Sequence, residues 1–253
     1  MRIPIKIKID SIEKTPMEVV IIKNQKETDQ PLFLYLAYNA PHTPIQPPND
    51  WTQKILQREP EVSPDRAKYI ALVEHMDAGI GRVIKALKDS NMYSNTLIFY
   101  TSDNGGALSV GAYNGPLRGG KQDMYEGGIR VPACAVWPKH ISSGSETDQV
   151  ALLMDLFPTI CEAAGVKINH LIEGKSILPT LLGQNQELSD RLLYWVRREG
   201  GIKNHSPMLG LSYHAVRQGE MKLLHNRPLA LSLIHISEPT RRTPISYAVF
   251  CLK

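Results

Sequence analysis

Apolar residues in this chain fall into two patterns, unbroken runs of strand length and stripes at helical spacing. The run Leu32-Phe33-Leu34-Tyr35-Leu36-Ala37-Tyr38 predicts a strand buried on both faces, as in a parallel sheet. Thr96-Leu97-Ile98-Phe99-Tyr100-Thr101 predicts a second such strand, and Ala133 to Trp137 a short third. Between the first two lies a helix with a well-marked start. Ser63 suits the N-cap, Pro64 the first helical position, and Asp65 complements the positive helix end. Ile70, Val73, Met76, Ile80, Val83, Ile84 and Leu87 then recur at steps of three and four, one apolar stripe reaching Lys88. Val150 to Met154 reads as extended, and Asp155 caps a short helix that ends at Gly165, with Pro158 in its first turn. Buried strands alternating with amphipathic helices predict an α/β fold with a mostly parallel sheet flanked by helices.

The two ends lack this order. In residues 1–30, Lys6, Lys8, Lys14, Lys23 and Lys26 interrupt apolar positions without a sustained period, and Pro16 is expected to break any helix. This stretch reads as a divergent N-terminal segment before an organised region over residues 31–227. From Leu229 onward the apolar residues show no helical face, and Thr240-Arg241-Arg242-Thr243-Pro244 interrupts them. Residues 228–253 are therefore expected to be a read-through tail outside the fold.

Composition narrows the class. The 253 residues are 42% hydrophobic and 21% charged, values of a globular chain, with no apolar run long enough to span a membrane. The net charge of +4 is small and unclustered, which argues against nucleic acid as a partner. Arg2 to Lys8 alternates basic and apolar residues without the apolar core and small-residue cleavage site of a secretory signal. Cys134, Cys161 and Cys251 have neither the spacing of a zinc site nor the even count of a disulfide framework.

Candidate chemistry sits in the loops. Asp103-Asn104-Gly105-Gly106 directly follows a predicted strand, where open α/β sheets bind ligands, and it offers two hard oxygens beside glycines. The same tetrapeptide also reads as a plain Asn-Gly turn. His42 lies between Pro41 and Thr43-Pro44, whose fixed backbone suits a side chain aimed at one place, although a loop histidine is commonly just solvated. Lys121, in Arg118-Gly119-Gly120-Lys121 and close to Gly127-Gly128, reads as an anion site or as a flexible basic loop. Glu126 and Arg130 are expected to form a structural ion pair. Asp77, near the apolar stripe, would be costly unless paired. Glu74-His75 lacks the second histidine that a zinc helix needs.

Read together, these blocks resemble the sulfatase family. The carriers are Phe33 through Pro44, Ser102-Asp103-Asn104-Gly105-Gly106, Pro116 through Lys121, and Tyr125 through Pro132. Asp155-Leu156-Phe157-Pro158-Thr159, Gly174 through Pro179 and Ala215 through Leu223 are similar to further segments of that family. The resemblance covers Pro31 to Leu224 and is nearest to arylsulfatases and N-acetylgalactosamine-4-sulfatases. It implies an alkaline-phosphatase-like fold, here incomplete, and a parent that hydrolyses sulfate esters of aryl groups or carbohydrates with a bound calcium ion. It assigns Asp103 and Asn104 to the metal, and His42 and Lys121 to the sulfate and leaving group. A periplasmic, extracellular or lysosomal location is the family's expectation.

The family's formylglycine nucleophile, made from Cys or Ser in a C/S-x-P-S/T-R motif near the start of the domain, is expected in a missing N-terminal part. Cys134 and Cys161 are followed by the wrong residues. Ser237-Glu238-Pro239-Thr240-Arg241 satisfies the serine form by letter, but it follows the metal pair where the family places it before. The chain is thus expected to be the C-terminal portion of a sulfatase catalytic domain, truncated and inactive alone. A phosphodiester or phosphonate hydrolase of the same superfamily and a non-catalytic protein binding sulfated glycans are the alternatives.

Overall fold

The computed structural model describes residues 17–25, 30–198, 212–225 and 231–235. Among the described residues the first element is helix α1 (Met17–Gln25). Its Val19 and Ile22 are buried against Val83, Ala86 and Leu87. Helix α2 (Asn49–Arg58) sets Ile55 into a second cluster with Ala67 and Ala71. Both clusters are built on the 26-residue helix α3 (Pro64–Asp89), which begins as the sequence predicts. The Ser63 hydroxyl accepts the Arg66 backbone N–H at 3.3 Å, satisfying one of the open donors of the first turn.

Residues 31–39 correct the first expectation. They belong to no ladder among the described residues. Leu32, Leu34 and Leu36 pack against the cluster containing Ile98, whereas Phe33 and Tyr35 are 60% and 72% exposed. An apolar run signals burial, but it does not say whether one face or two are covered.

Strand β1 (Ile98–Thr101) lies where predicted. A 31-residue excursion, 102–132, contains a 3-10 turn (Leu108–Val110) and the four-residue helix α4 (Glu126–Ile129), and returns as β2 (Ala133–Val136). The pair is antiparallel, with Ile98 opposite Val136 and Thr101 opposite Ala133. No helix of full length lies between the two strands. Helices α5 (Leu156–Ala163) and α6 (Leu178–Leu181) pack with Leu97, Phe99 and Trp137 to close the other side of β1. The α5 helix ends at Gly165 in the left-handed region, φ +66°, as the sequence predicts.

The second sheet has the order β3 (Leu193–Arg198), β4 (Ser212–Gln218), β5 (Met221–His225), β6 (Leu231–His235), every pair antiparallel. The mostly parallel pairing expected from the apolar runs is thus absent among the described strands, although the layering of helices and sheet stands. Strand β6 falls within residues 228–253, and Leu231–His235 pairs along all of β5. Ala215 and Leu224 on the inner face of this sheet bury against Met124, with Tyr125 and Ile129 alongside. That contact seats the sheet on the glycine-rich loop. Ser237 to Arg241, Cys251 and residues 1–16 lie outside the described residues.

Candidate active site

The site is built where the chain leaves β1. The Ser102 hydroxyl donates to the Asn104 carbonyl at 2.9 Å, and the Asn104 side-chain nitrogen donates to the Gly105 carbonyl at 2.9 Å. These bonds curl the turn so that the Asp103 carboxylate is exposed, and they leave the Asn104 side-chain oxygen as an open acceptor.

Five glycines, Gly105, Gly106, Gly120, Gly127 and Gly128, lock this turn to the loop carrying Lys121. Gly105 N–H donates to the Gly128 carbonyl at 2.9 Å, and a Cβ on Gly105 would overlap the Gly127 carbonyl. Lys121 N–H donates to the Gly106 carbonyl at 3.0 Å, and a Cβ on Gly120 would come within 2.6 Å of that same oxygen. Only residues without a Cβ allow such backbone contact. Asn114 completes the joint. Its side-chain oxygen accepts Gly106 N–H at 2.8 Å, and its nitrogen donates to the Gly106 and Gly119 carbonyls at 3.1 and 3.0 Å. Asp123 accepts Gly120 N–H at 2.8 Å and fixes the approach to Lys121. A cleft of about 260 Å³ opens beside Lys121, lined by Ala107, Leu108 and Ser109 on one side and Gly120 to Asp123 on the other.

The structure therefore joins Asp103, Asn104 and Lys121 through contiguous backbone. His42 stands on a separate exposed loop. Its ring nitrogen Nδ1 lies 2.8 Å from the Thr43 carbonyl, and the His42 backbone N–H donates to the Asn39 carbonyl at 2.7 Å. A Cβ added at Gly79 on α3 would lie 3.9 Å from the ring and hydroxyl of Tyr38, just before this loop.

Two expectations about charged residues are corrected. Glu126 pairs with Lys222, at 2.6 Å and with both side chains buried, and not with Arg130, which is exposed. Asp77 is exposed on α3, so it carries no burial cost. His75 is a packing residue, edge-on to Trp51 at 5.3 Å. Sequence reasoning missed Asn114, Gln122, Arg197 and Lys222. For Lys222 a signal existed: on a strand it shares a face with Leu224, which places a charge among apolar neighbours.

Asp103 and Asn104 suit a hard cation, one giving a carboxylate and the other an amide oxygen. Among the described residues no group of three or more His, Cys, Asp or Glu side chains could hold a metal. Two ligand side chains, Asp103 and Asn104, are what this turn offers.

A family model described as Sulfatase matches residues 16–166, and one described as N-sulphoglucosamine sulphohydrolase, C-terminal, matches residues 120–226. The first match begins within the segment that composition set apart. N-acetylgalactosamine-6-sulfatase of Canis lupus familiaris is 34% identical over 211 residues, covering 78% of this chain and 38% of that protein. The chain thus spans under half the length of this relative. The solved structure of Ps i-CgsB in complex with k-i-k-neocarrahexaose superposes with a TM-score of 0.78 at 35% identity, over 87% of this chain and 46% of that one. Phosphonate monoester hydrolase of Agrobacterium radiobacter shares the fold, with a TM-score of 0.66 at 20% identity over 87% of this chain and 53% of that one. With more than half its length matched by the family model, and with an alkaline-phosphatase-like fold, the chain belongs to the sulfatase family.

Proposed function

We propose that this chain carries the cation-binding and sulfate-binding segments of an enzyme that hydrolyses sulfate esters, most naturally those of a sulfated carbohydrate. The observation that supports this reading is the glycine-locked joint, which presents Asp103, Asn104 and Lys121 from one rigid backbone unit. Preorganised charge of this kind stabilises an anionic transition state, because nothing has to reorient as charge develops. Lys121 neutralises a sulfate oxygen from the wall of the cleft. Asp103 and Asn104 hold calcium, which when bound screens the remaining sulfate charge. His42 donates a proton to the departing alcohol. The formylglycine nucleophile belongs to a segment outside 31–227, and without it the chain binds the ester but does not turn it over. With one carboxylate and one amide oxygen-bearing side chain against the roughly six to eight oxygens that calcium takes, the chain alone holds the cation weakly. A non-cytosolic location follows the family expectation.

The carbohydrate reading is supported by Ps i-CgsB, the 35%-identical structure with a neocarrahexaose bound. Sulfate is preferred over phosphonate because the phosphonate hydrolase shares the fold at only 20% identity. The test has two arms. Calorimetric titration of the chain with p-nitrophenyl sulfate and with phenylphosphonate, before and after Lys121→Ala, measures binding. Preference for the phosphonate, or unchanged sulfate binding in the variant, refutes the assignment. Turnover of p-nitrophenyl sulfate by a gene product of the relatives' length measures hydrolysis, and binding without turnover there would favour a glycan-binding protein.

A further inference from the structure

We propose that the second sheet sets the position of Lys121, with Arg197 and Lys222 as positioning residues on either side of it. The inference rests on the reading of Lys121 as a sulfate-binding side chain. Two ties join the sheet to the loop, and they differ in kind.

The first tie is exposed. Arg197 on β3 donates to the Gln122 carbonyl at 2.9 Å and to the Gln122 side-chain oxygen at 3.1 Å. Its guanidinium also lies 5.3 Å from the Tyr213 ring, so the fork is held on both sides. Gln122 itself sits at φ +82°, a conformation that non-glycine residues rarely adopt. Such a backbone persists where surrounding contacts impose it, and Arg197 grips both the main chain and the side chain of that residue. Gln122 is the immediate neighbour of Lys121 and lines the same cleft.

The second tie is buried. Lys222 on β5 reaches the Glu126 carboxylate at 2.6 Å, with side-chain exposures of 3% and 8%. Glu126 opens α4, whose Gly127 N–H donates to the Arg118 carbonyl at 2.8 Å and whose Gly128 carbonyl receives Gly105 N–H at 2.9 Å. The pair therefore bears on the Lys121 loop before its glycines and on the Asp103-Asn104 turn after its own. A displacement of the sheet moves both, because the glycine contacts leave no slack between them.

The test titrates the chain with sodium sulfate while the Lys121 amide is followed by nuclear magnetic resonance. Arg197 is exposed enough that Arg197→Ala should keep the thermal midpoint, and it is expected to weaken sulfate by about three- to tenfold. Arg197→Lys should fail to restore affinity, because an ammonium cannot reproduce the two-pronged contact. Lys222→Met, studied where it remains folded, should shift the Lys121 and Gly105 amides together. Wild-type sulfate affinity in both Arg197→Ala and Lys222→Met would overturn the proposal, as a purely structural role predicts. If the unaltered chain shows no sulfate response at Lys121, the sulfate-binding reading fails instead. The positioning claim then stands or falls on whether Arg197→Ala moves the Gly120 and Lys121 amide shifts.

Discussion

Arg191 donates from Nη1 to a carboxylate oxygen of Asp155 at 2.8 Å, and Asp155 is completely buried. The same carboxylate accepts the Leu152 N–H at 2.7 Å and the Lys175 N–H at 2.8 Å. Asp155 thus ties three chain segments at the start of α5. The sequence marks it as a helix cap, and it does precede the helix, but its carboxylate serves the neighbouring segments instead of the first turn.

Replacing Asp155 should cost more than replacing its partner. Asp155→Ala leaves a cation and two N–H groups without their acceptor and is expected to lower unfolding free energy by about 3–5 kcal/mol. Arg191→Met should cost less, since two backbone donors still serve the carboxylate. Urea unfolding of both variants checks the ranking, and equal small losses would show that Asp155 is no hub.

The glycine joint predicts opposite signs at two alanine substitutions. Gly105→Ala drives a Cβ into the Gly127 carbonyl and should destabilise by about 1–3 kcal/mol through forced backbone shifts. Gly81→Ala, exposed on α3 with nothing within 4 Å of the new Cβ, should stabilise by about 0.5–1 kcal/mol through helix propensity. Thermal unfolding of the pair separates a packed glycine from a merely permissive one.

Burial pushes the Cys134 thiol above its ordinary range, partly offset by a hydrogen bond with the Tyr100 backbone. Its folded value exceeds its unfolded one, so its contribution is complete below the ordinary thiol range and is lost as pH rises through the raised value. Cys134 should therefore react with iodoacetamide at mildly alkaline pH more slowly than a thiol in an unstructured peptide. Cys134→Ala should flatten the alkaline fall in stability, and an unchanged slope would count against the burial effect.

Strand β6 covers the edge of β5 along five paired positions. Ending the chain after Arg227 removes those pairs and leaves β5 as an open edge. The thermal midpoint should fall, by about 2–4 °C for each kcal/mol lost in a chain of this size. An unchanged midpoint would return residues 228–253 to the status their composition implied.

The elements legible in the sequence were those whose signal is local. The start of α3 at Ser63-Pro64, its apolar stripe and the end of α5 at Gly165 each depend on residues within a turn or two. The candidate site residues Asp103, Asn104, Lys121 and His42 were legible as family blocks, because their order along the chain is itself sequence. Direction and pairing were not. An apolar run at Leu32 to Tyr38 records that neighbours exist, but neither their number nor their side is written in it. Strands β1 and β2 pair antiparallel, and that follows from where the chain returns after residues 102–132, which no local pattern records. The same holds for Glu126. Its spacing of four pointed to Arg130, whereas folding brought Lys222, 96 positions away, into the buried place beside it. A buried carboxylate takes the cation that can be desolvated with it, and only the packing of the second sheet on the glycine-rich loop decides which one that is.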